Sequence, residues 1–327
     1  KPNMAFNLMS WSWLCLALGE VVPARPSPAV RIHMVTFTTD MYSQRFAESL
    51  AAKEAYAAHW AYSWKVFDQS SLDCEKFRPF RFRGDYRYCK LEALKTMWKR
   101  VHRSRKDDPN PATRDYIFWH DVDTHIMRPQ TALVEFLEAA KFAPVVFTDN
   151  ALSLNNGVFF LEVASQARSK DFFKAWRQGC RTGEWPWADN GCMYEVLLKL
   201  LGGDRYDGSC ARKFRQETFN EAQPEPPTGE QLMACFNDEM TSMGMGCCGK
   251  DRVIDGFAFL TGEQDSFNHH PCDELERQQA FKDYDRSLIR QHCYQDGMFM
   301  VHSKDIKYAK LSAQRVKGLG KPAQTEL

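Results

Sequence analysis

The sequence predicts an α/β fold with a mainly parallel sheet flanked by helices. Short apolar runs typical of buried strands alternate along the chain with segments whose apolar residues recur at helical spacing. The first predicted strand spans residues 31–38 and the next spans 62–67, with a helix between them. Alternation of this kind places successive strands parallel in one sheet.

The remaining elements follow from the same two periodicities. Helices are predicted on apolar stripes at Tyr42, Phe46 and Leu50; at Leu91, Leu94 and Trp98; at residues 131–140; at Phe172, Phe173 and Trp176; and at Met193, Val196, Leu197 and Leu200. Strands are predicted at residues 116–119, 144–147, 158–161, 253–260 and 298–302. Asn155-Asn156-Gly157 predicts a turn before the strand at 158–161.

Composition indicates one large globular domain without a strong field of charge. The chain has 327 residues, of which 44% are hydrophobic, and its net charge is +1. Because no broad basic field is present, we expect no nucleic-acid partner. We assign residues 25–316 to the domain, residues 202–250 to a loop-rich insertion with many Gly, Pro and Cys, and residues 317–327 to a polar tail.

The first 24 residues form a separate segment. Its uncharged run from Ala5 to Leu18 is shorter than the ~20 apolar residues that span a membrane. Two interpretations stay open, a secretory signal peptide cleaved near Ala24 and a short uncleaved membrane anchor. The 11 cysteines also fit export, because an oxidising lumen would allow up to five disulfides among those that follow Cys15.

The most informative motif is His120-Asp121-Val122-Asp123-Thr124, which follows the predicted strand at 116–119. Alternate residues of a strand point to the same side, so the two carboxylates can converge on one ion where the strand opens into a loop. Mg²⁺ and Mn²⁺ prefer oxygen ligands and keep positions open for substrate phosphates. The motif therefore predicts a cation site for a nucleotide sugar at the carboxyl end of a strand. Loop-capping aspartates are the alternative.

Three other segments support this site, each with a structural alternative. The strand at 298–302 ends in His302, whose imidazole is either a third metal ligand or a structural side chain. Residues 148–150 (Thr-Asp-Asn) and 155–157 offer carboxylate, amide and Gly positions for a sugar, or form an ordinary hairpin turn. Residues 185–190 (Trp-Pro-Trp-Ala-Asp-Asn) offer aromatic faces for sugar rings, or form a surface loop pinned by two Trp.

Together these motifs resemble the galactosyl/mannosyl transferase family, which includes fungal Golgi α-mannosyltransferases and plant xyloglucan xylosyltransferases. Residues 88–94 (Tyr-Cys-Lys-Leu-Glu-Ala-Leu) resemble the Lys-containing helix before the family's metal motif. Residues 118–123 (Phe-Trp-His-Asp-Val-Asp) resemble that motif, and residues 156–161 (Asn-Gly-Val-Phe-Phe-Leu) resemble its Asn-x-Gly-x-Phe strand. The chain departs from the family pattern at Glu162-Val163, at Asp189-Asn190 and after His302.

The resemblance implies a GT-A fold and a metal-binding donor site. Asp121, Asp123 and His302 would bind Mn²⁺ or Mg²⁺. Lys90 would approach the donor diphosphate or sugar, and Lys304 would be a further contact to the diphosphate.

The resemblance also assigns the groups around the sugar. Thr38 and Thr39 would lie near the nucleoside, and Gly157 would line the sugar site. The candidate catalytic residues are those that would face the donor sugar or the acceptor: Asp149, Asn156, Asp189 and Asn190.

The implied activity is that of a metal-dependent glycosyltransferase of the Golgi lumen, either soluble or membrane-anchored. It would move a hexosyl or pentosyl group from a nucleotide-diphosphate sugar to a glycan or glycoconjugate, with retention of configuration. An inverting enzyme would instead need a base, for which Asp149 and Asp189 are available. One rival is a luminal carbohydrate-binding protein without turnover. Another is an Asp-x-Asp phosphohydrolase, which is disfavoured because several elements precede the motif and His125 stands where Thr or Val is usual.

Overall fold

The computed structural model describes residues 29–74, 86–105, 110, 112–149, 154–164, 167–181, 185–214, 228–245, 252–260, 267–277 and 293–319. The predicted N-terminal segment and most of the predicted tail lie outside these ranges. Among the described residues, no helix is both long enough and apolar enough to cross a membrane.

The described residues form nine strands, with helices between many of them. In order they are β1 (Val30–Phe37), α1 (Asp40–Arg45), α2 (Ala47–His59), β2 (Ser63–Phe67), α3 (Cys89–Ser104), β3 (Arg114–His120), β4 (Thr124–Ile126), α4 (Leu133–Ala139), β5 (Val145–Asp149), β6 (Leu154–Glu162), α5 (Arg168–Gly179), α6 (Asp189–Gly202), α7 (Ser209–Phe214), α8 (Gly229–Ser242), β7 (Arg252–Ile254), β8 (Phe257–Leu260), α9 (Cys272–Arg277), β9 (Met300–His302) and α10 (Ile306–Lys317).

Seven strands form the main sheet in the order β2-β1-β3-β6-β5-β8-β7. The pairs β1–β2, β1–β3 and β5–β8 are parallel, whereas β6 is antiparallel to both of its neighbours and β7 is antiparallel to β8. All strands except β6 and β7 therefore run in one direction. The predicted α/β class with a mainly parallel sheet is confirmed.

Helices cover both faces of the sheet, and β3 contributes side chains to the hydrophobic cluster on each face. Ile117 and Trp119 belong to the hydrophobic cluster beneath α3, α5 and α6, whereas Tyr116 and Phe118 belong to the cluster beneath α2 and α4. Successive side chains of a strand point to opposite faces, so a strand covered on both sides reads as a continuous apolar run. β3 is an interior strand of the sheet. Its carboxyl end and the Asp-x-Asp motif therefore lie within the row formed by the carboxyl ends of the parallel strands, which we call the carboxyl edge of the sheet.

A second, two-stranded sheet lies beside this edge. β4 follows the Asp-x-Asp loop and pairs antiparallel with β9, so that Thr124 lies opposite His302. The pairing brings a late segment of the chain against the loop that follows β3.

Two sequence-based expectations about local structure differ from what is found. Asn155, Asn156 and Gly157 lie inside β6 and do not form the predicted turn. The amide side chains there are bonded within the fold, as described below, so their turn preference is overridden. The helix predicted on Tyr42, Phe46 and Leu50 is divided at Phe46 into α1 and α2.

The described part of the predicted insertion at 202–250 is more helical than expected, because it contains α7 and α8. The buried side chains of α8 recur at helical spacing, and its Phe236 ring stacks on Tyr194 of α6 at 4.8 Å. The disulfide Cys210–Cys235 joins α7 to α8, as the cysteine content of the segment suggested. Three further disulfides are present in the described residues: Cys74–Cys89, Cys180–Cys192 and Cys272–Cys293.

Candidate functional site

The first carboxylate of the motif is held where β3 ends. The backbone N–H of Asp121 donates to the carbonyl oxygen of Gly157 at 2.7 Å, so the strand-like contact with β6 continues for one residue. The indole Nε1 of Trp119 donates to Asp121 Oδ1 at 2.8 Å. Because a buried aromatic residue fixes this carboxylate, its direction is set by the hydrophobic core.

The second carboxylate and the distant imidazole meet through the small sheet. Ser303 N–H donates to the carbonyl oxygen of Asp123 at 2.9 Å, and His302 Nε2 lies 3.3 Å from Asp123 Oδ1. One ligand atom from each of Asp121, Asp123 and His302 lies within 4.8 Å of the other two. The three residues predicted as a metal site are therefore brought together.

Local chemistry around His302 fits a cation ligand. Its Nδ1 is buried and has no hydrogen-bond partner among the described residues. Burial works to lower the pKa of His302, but attraction and hydrogen bonding by Asp123, together with attraction by Asp121, outweigh burial and raise that pKa. Burial likewise works to raise the pKa of Asp123, and the His302 imidazole and backbone hydrogen bonding hold it low. An ionised carboxylate beside an imidazole with a free nitrogen is a donor set that suits Mn²⁺ or Mg²⁺ with oxygen-bearing substrates.

Gly157 makes room for this imidazole. A Cβ added at Gly157 would lie 2.5 Å from His302 Cε1 and 2.8 Å from His302 Nδ1. The Gly157 N–H is bonded to Asn155 Oδ1 at 2.6 Å, which fixes the backbone there. The Gly in the Asn-x-Gly-x-Phe strand thus allows close packing of β6 against the imidazole.

Lys90 lies at the centre of a buried polar network next to Asp121. Its Nζ is 3.2 Å from Asp121 Oδ1 and 3.0 Å from Asp189 Oδ2. It also donates to the backbone oxygen and to Oδ1 of Asn156, at 2.9 and 2.7 Å. Burial works to lower the pKa of Lys90, but the two carboxylates outweigh it and raise that pKa. The ammonium is therefore charged, and these acceptors engage all of its donor capacity.

Asp189 and Asn190 complete the network from the start of α6. Asn156 Nδ2 donates to Asp189 Oδ2 at 2.8 Å, and Asn156 N–H donates to Asn190 Oδ1 at 3.1 Å. Burial raises the pKa of Asp189, with repulsion from Asp121 in the same direction and attraction by Lys90 opposing both. The four predicted residues Lys90, Asn156, Asp189 and Asn190 thus form one cluster that touches the Asp121 carboxylate.

The backbone before α6 is strained. Trp187 and Ala188 have φ values of 58° and 53°, in the left-handed region that non-glycine residues seldom adopt. Trp185 is buried, whereas Trp187 is half-buried. Strain of this kind clusters at functional sites, and here it directly precedes Asp189.

The other predicted site residues are placed as follows. Thr38 and Thr39 follow β1, which is parallel to β3, so they lie at the same sheet edge as the motif; Thr39 also caps α1. Asp149 ends β5, and its side chain is outside the described part of the structure. Lys304 is exposed two residues after His302, and its carbonyl accepts from Arg45 at 2.7 Å.

Sequence reasoning missed two residues beside the site. Lys53 in α2 is fully buried and bonds to backbone oxygens of the Asp-x-Asp loop, and burial lowers its pKa to about 7. A lysine in an Ala-rich helix indicates an exposed position, so no sequence signal identified it. His270 stacks on His302, with ring centroids 4.8 Å apart. Its only sequence signal is the His269-His270 pair.

Solved glycosyltransferase structures are similar to this chain at low sequence identity. No protein-family model matches the chain, and no protein of curated function matches it. A glycosyltransferase involved in the glycosylation of the major capsid of PBCV-1 is similar in structure, at 10% identity over 86% of this chain and 98% of that chain, with a TM-score of 0.35. The galactosyltransferase LgtC with donor and acceptor sugar analogs aligns at 10% identity over 89% and 98%, with a TM-score of 0.34. An active-site mutant of LgtC aligns at 12% identity over 86% and 95%, with a TM-score of 0.33. At these identities and scores the alignments do not define the activity of this chain.

Proposed function

We propose that the protein is a metal-dependent glycosyltransferase of GT-A type. It would transfer a hexosyl or pentosyl group from a nucleotide-diphosphate sugar to a glycan or glycoconjugate, with retention of configuration. The observation that carries the proposal is the convergence of Asp121, Asp123 and His302 at the carboxyl edge of a mainly parallel sheet. That edge is where ligands bind in sheets of this type.

Asp121, Asp123 and His302 would hold the cation, Mn²⁺ or Mg²⁺. When bound, such an ion stabilises the negative charge that builds on a departing diphosphate. Two carboxylates and one imidazole would fill only part of the coordination sphere of the ion, so positions would remain for phosphate oxygens. Thr38 and Thr39 at the same edge would face the nucleoside, and exposed Lys304 is the candidate for a diphosphate contact.

The buried network around Lys90 would shape the sugar pocket. Because the contacts of Lys90 lie with Asp121, Asp189 and Asn156, it would orient those groups and would not bind the diphosphate directly. Asp189, Asn190 and Asn156 are likewise buried and bonded within this network, so they would fix the wall of the sugar pocket, with Gly157 beside them and Asp149 at the end of β5. In a retaining reaction the departing phosphate can accept the proton of the acceptor hydroxyl, so no dedicated base is needed.

We propose that the protein is exported to the Golgi lumen. Four disulfides among the described residues support an oxidising environment. Residues 1–24 would act as a signal peptide or as a short membrane anchor.

A carbohydrate-binding protein without turnover is the second candidate. It is favoured by the ion pair between Lys90 and Asp121, in which an ammonium already neutralises one of the metal-binding carboxylates. Such a protein would bind a sugar without cleaving a donor.

A donor screen separates the two candidates. Nucleotide sugars are tested by thermal shift with and without Mn²⁺, because a ligand that binds the folded state raises its stability. The donor identified is then incubated with enzyme and Mn²⁺, and release of free nucleoside diphosphate is measured. The transferase is expected to release it slowly even without acceptor, and a binding protein is not.

Asp123→Ala is the matched variant for this assay. It should fold, as judged by circular dichroism and a cooperative melt, and should lose Mn²⁺ binding and turnover. Asp123→Asn keeps the shape of the side chain and removes its charge, and should show the same loss in milder form. Normal turnover by folded Asp123→Ala in Mn²⁺ would refute the metal role.

A further inference from the structure

Lys53 lies directly behind the loop that carries the two metal-binding carboxylates. The side chain comes from the middle of α2, and the residue has 0% exposure. Its Nζ donates to the carbonyl oxygen of Asp121 at 2.9 Å and to that of Val122 at 3.1 Å. These two carbonyls belong to the two peptide groups that connect Asp121 to Asp123.

A buried lysine is normally paired with a carboxylate, because removal of an ammonium from water is unfavourable. Within the part of the chain that the structure describes, no carboxylate forms an ion pair with Lys53, and its bonded partners are the two loop carbonyls. An apolar side chain would fill the same position in α2 without a charge to desolvate. The lysine is therefore better explained by its effect on the loop than by packing.

We propose that Lys53 is a positioning residue for the cation site. By holding both peptide groups between Asp121 and Asp123, its Nζ fixes the directions in which the two carboxylates leave the loop. A site whose ligands are already oriented binds its ion with a smaller ordering cost. This inference rests on the metal site of the proposed function.

Ser49 provides a matched control on the same face of α2. It is buried one turn before Lys53, and its Oγ donates to the carbonyl oxygen of Thr124 at 3.0 Å, beyond the two carboxylates. The Ser49 hydroxyl also lies 2.9 Å from His125 Nδ1, so Ser49→Ala removes two buried bonds between the same helix and the same loop region, but leaves the two peptide groups between Asp121 and Asp123 held.

The sign of the effect distinguishes positioning from simple electrostatics. Removal of a cation near the site should by itself strengthen the binding of another cation. Loss of orientation should weaken it, because groups that orient metal ligands typically change affinity by 10- to 100-fold. Lys53→Met keeps the length and apolar stem of the side chain and removes the donors and the charge.

The experiment titrates Mn²⁺ into the chelator-treated full chain and follows free Mn²⁺ by electron paramagnetic resonance. We expect Lys53→Met to fold, by circular dichroism, and to bind Mn²⁺ at least about tenfold more weakly than the wild type. Ser49→Ala should stay within about twofold of the wild type, because the loop between the carboxylates is unchanged. If Lys53→Met does not fold, Lys53→Gln takes its place, with an expected loss of at least about threefold because its donor group has a shorter reach.

Unchanged or tighter Mn²⁺ binding by the folded Lys53 variant would overturn the positioning role while leaving the metal site intact. An equal loss in Ser49→Ala would also overturn it, because the effect would then belong to packing of α2 in general. Absence of Mn²⁺ binding by the wild type would instead refute the metal site of the proposed function, and the role of Lys53 with it.

Discussion

Gly157→Ala tests whether the close approach of β6 to the imidazole is required for the cation site. The added Cβ would lie 2.5 Å from His302 Cε1, whereas ordinary contacts start at 3.4 Å, so the ring or the strand would have to move by roughly 1 Å. The tolerance of metal–ligand distances is about 0.2 Å. We therefore expect Mn²⁺ affinity to fall about tenfold or more. Overpacking should also lower the free energy of unfolding by about 1–3 kcal/mol.

Gly179→Ala is the control for overpacking away from the site. Its added Cβ would lie 2.9 Å from Val196 Cγ2, at the end of α5. It should lower stability without changing the Mn²⁺ affinity of the folded protein. Affinity is measured by Mn²⁺ titration and stability by urea unfolding. Wild-type Mn²⁺ affinity in folded Gly157→Ala would refute the packing argument.

Three further predictions concern metal, pH and disulfides. Excess chelator should abolish donor cleavage and added Mn²⁺ should restore it; undiminished activity in chelator would count against the mechanism. Asp115→Asn should lower the free energy of unfolding by about 2 kcal/mol at pH 7, since Asp115 is buried and bonded twice by Arg31, at 2.8 and 2.9 Å. Burial works to raise the pKa of Asp115, but hydrogen bonding by His33 and Arg31 outweighs burial and lowers that pKa. The stability difference between the wild type and Asp115→Asn should therefore be present above about pH 4 and vanish as the pH falls through the lowered pKa. Urea unfolding at several pH values measures it, and a difference that persists in acid contradicts the prediction. Replacing Cys74 and Cys89 by Ala should lower the free energy of unfolding by about 3 kcal/mol and also weaken Mn²⁺-dependent donor cleavage, because Cys89 precedes Lys90. Replacing Cys210 and Cys235 by Ala should lower stability alone. An equal loss of donor cleavage in both variants would contradict the link to Lys90.

The fold class and the carboxylate pair could be predicted because their signals are local. The run before the motif is apolar on every residue, as a strand covered on both faces must be. Asp121 and Asp123 follow that strand directly, so their position at the sheet edge depends on nothing distant. The third ligand was predicted from a strand that ends in His302, and its approach depends on the pairing of β4 with β9.

What could not be predicted depends on tertiary contacts. Asn156 occupies a strand where the sequence favours a turn, because Lys90 and Asp189 satisfy its side chain. The sequence favours an exposed position for Lys53 on its helix, and Lys53 is buried because α2 packs against the Asp-x-Asp loop. The helical stripe of α8 is obscured by the many Gly, Pro and Cys of its surroundings.

The pairing of β4 with β9 has a consequence for how the protein is made. Asp121 and Asp123 are synthesised well before His302, which reaches them only through the pairing of β9 with β4. A nascent chain that has not yet reached β9 therefore cannot assemble the cluster of two carboxylates and one imidazole, and binding of an ion by all three would follow the pairing of β9 with β4. Cation binding by all three residues would consequently report that β9 has reached its native position beside β4.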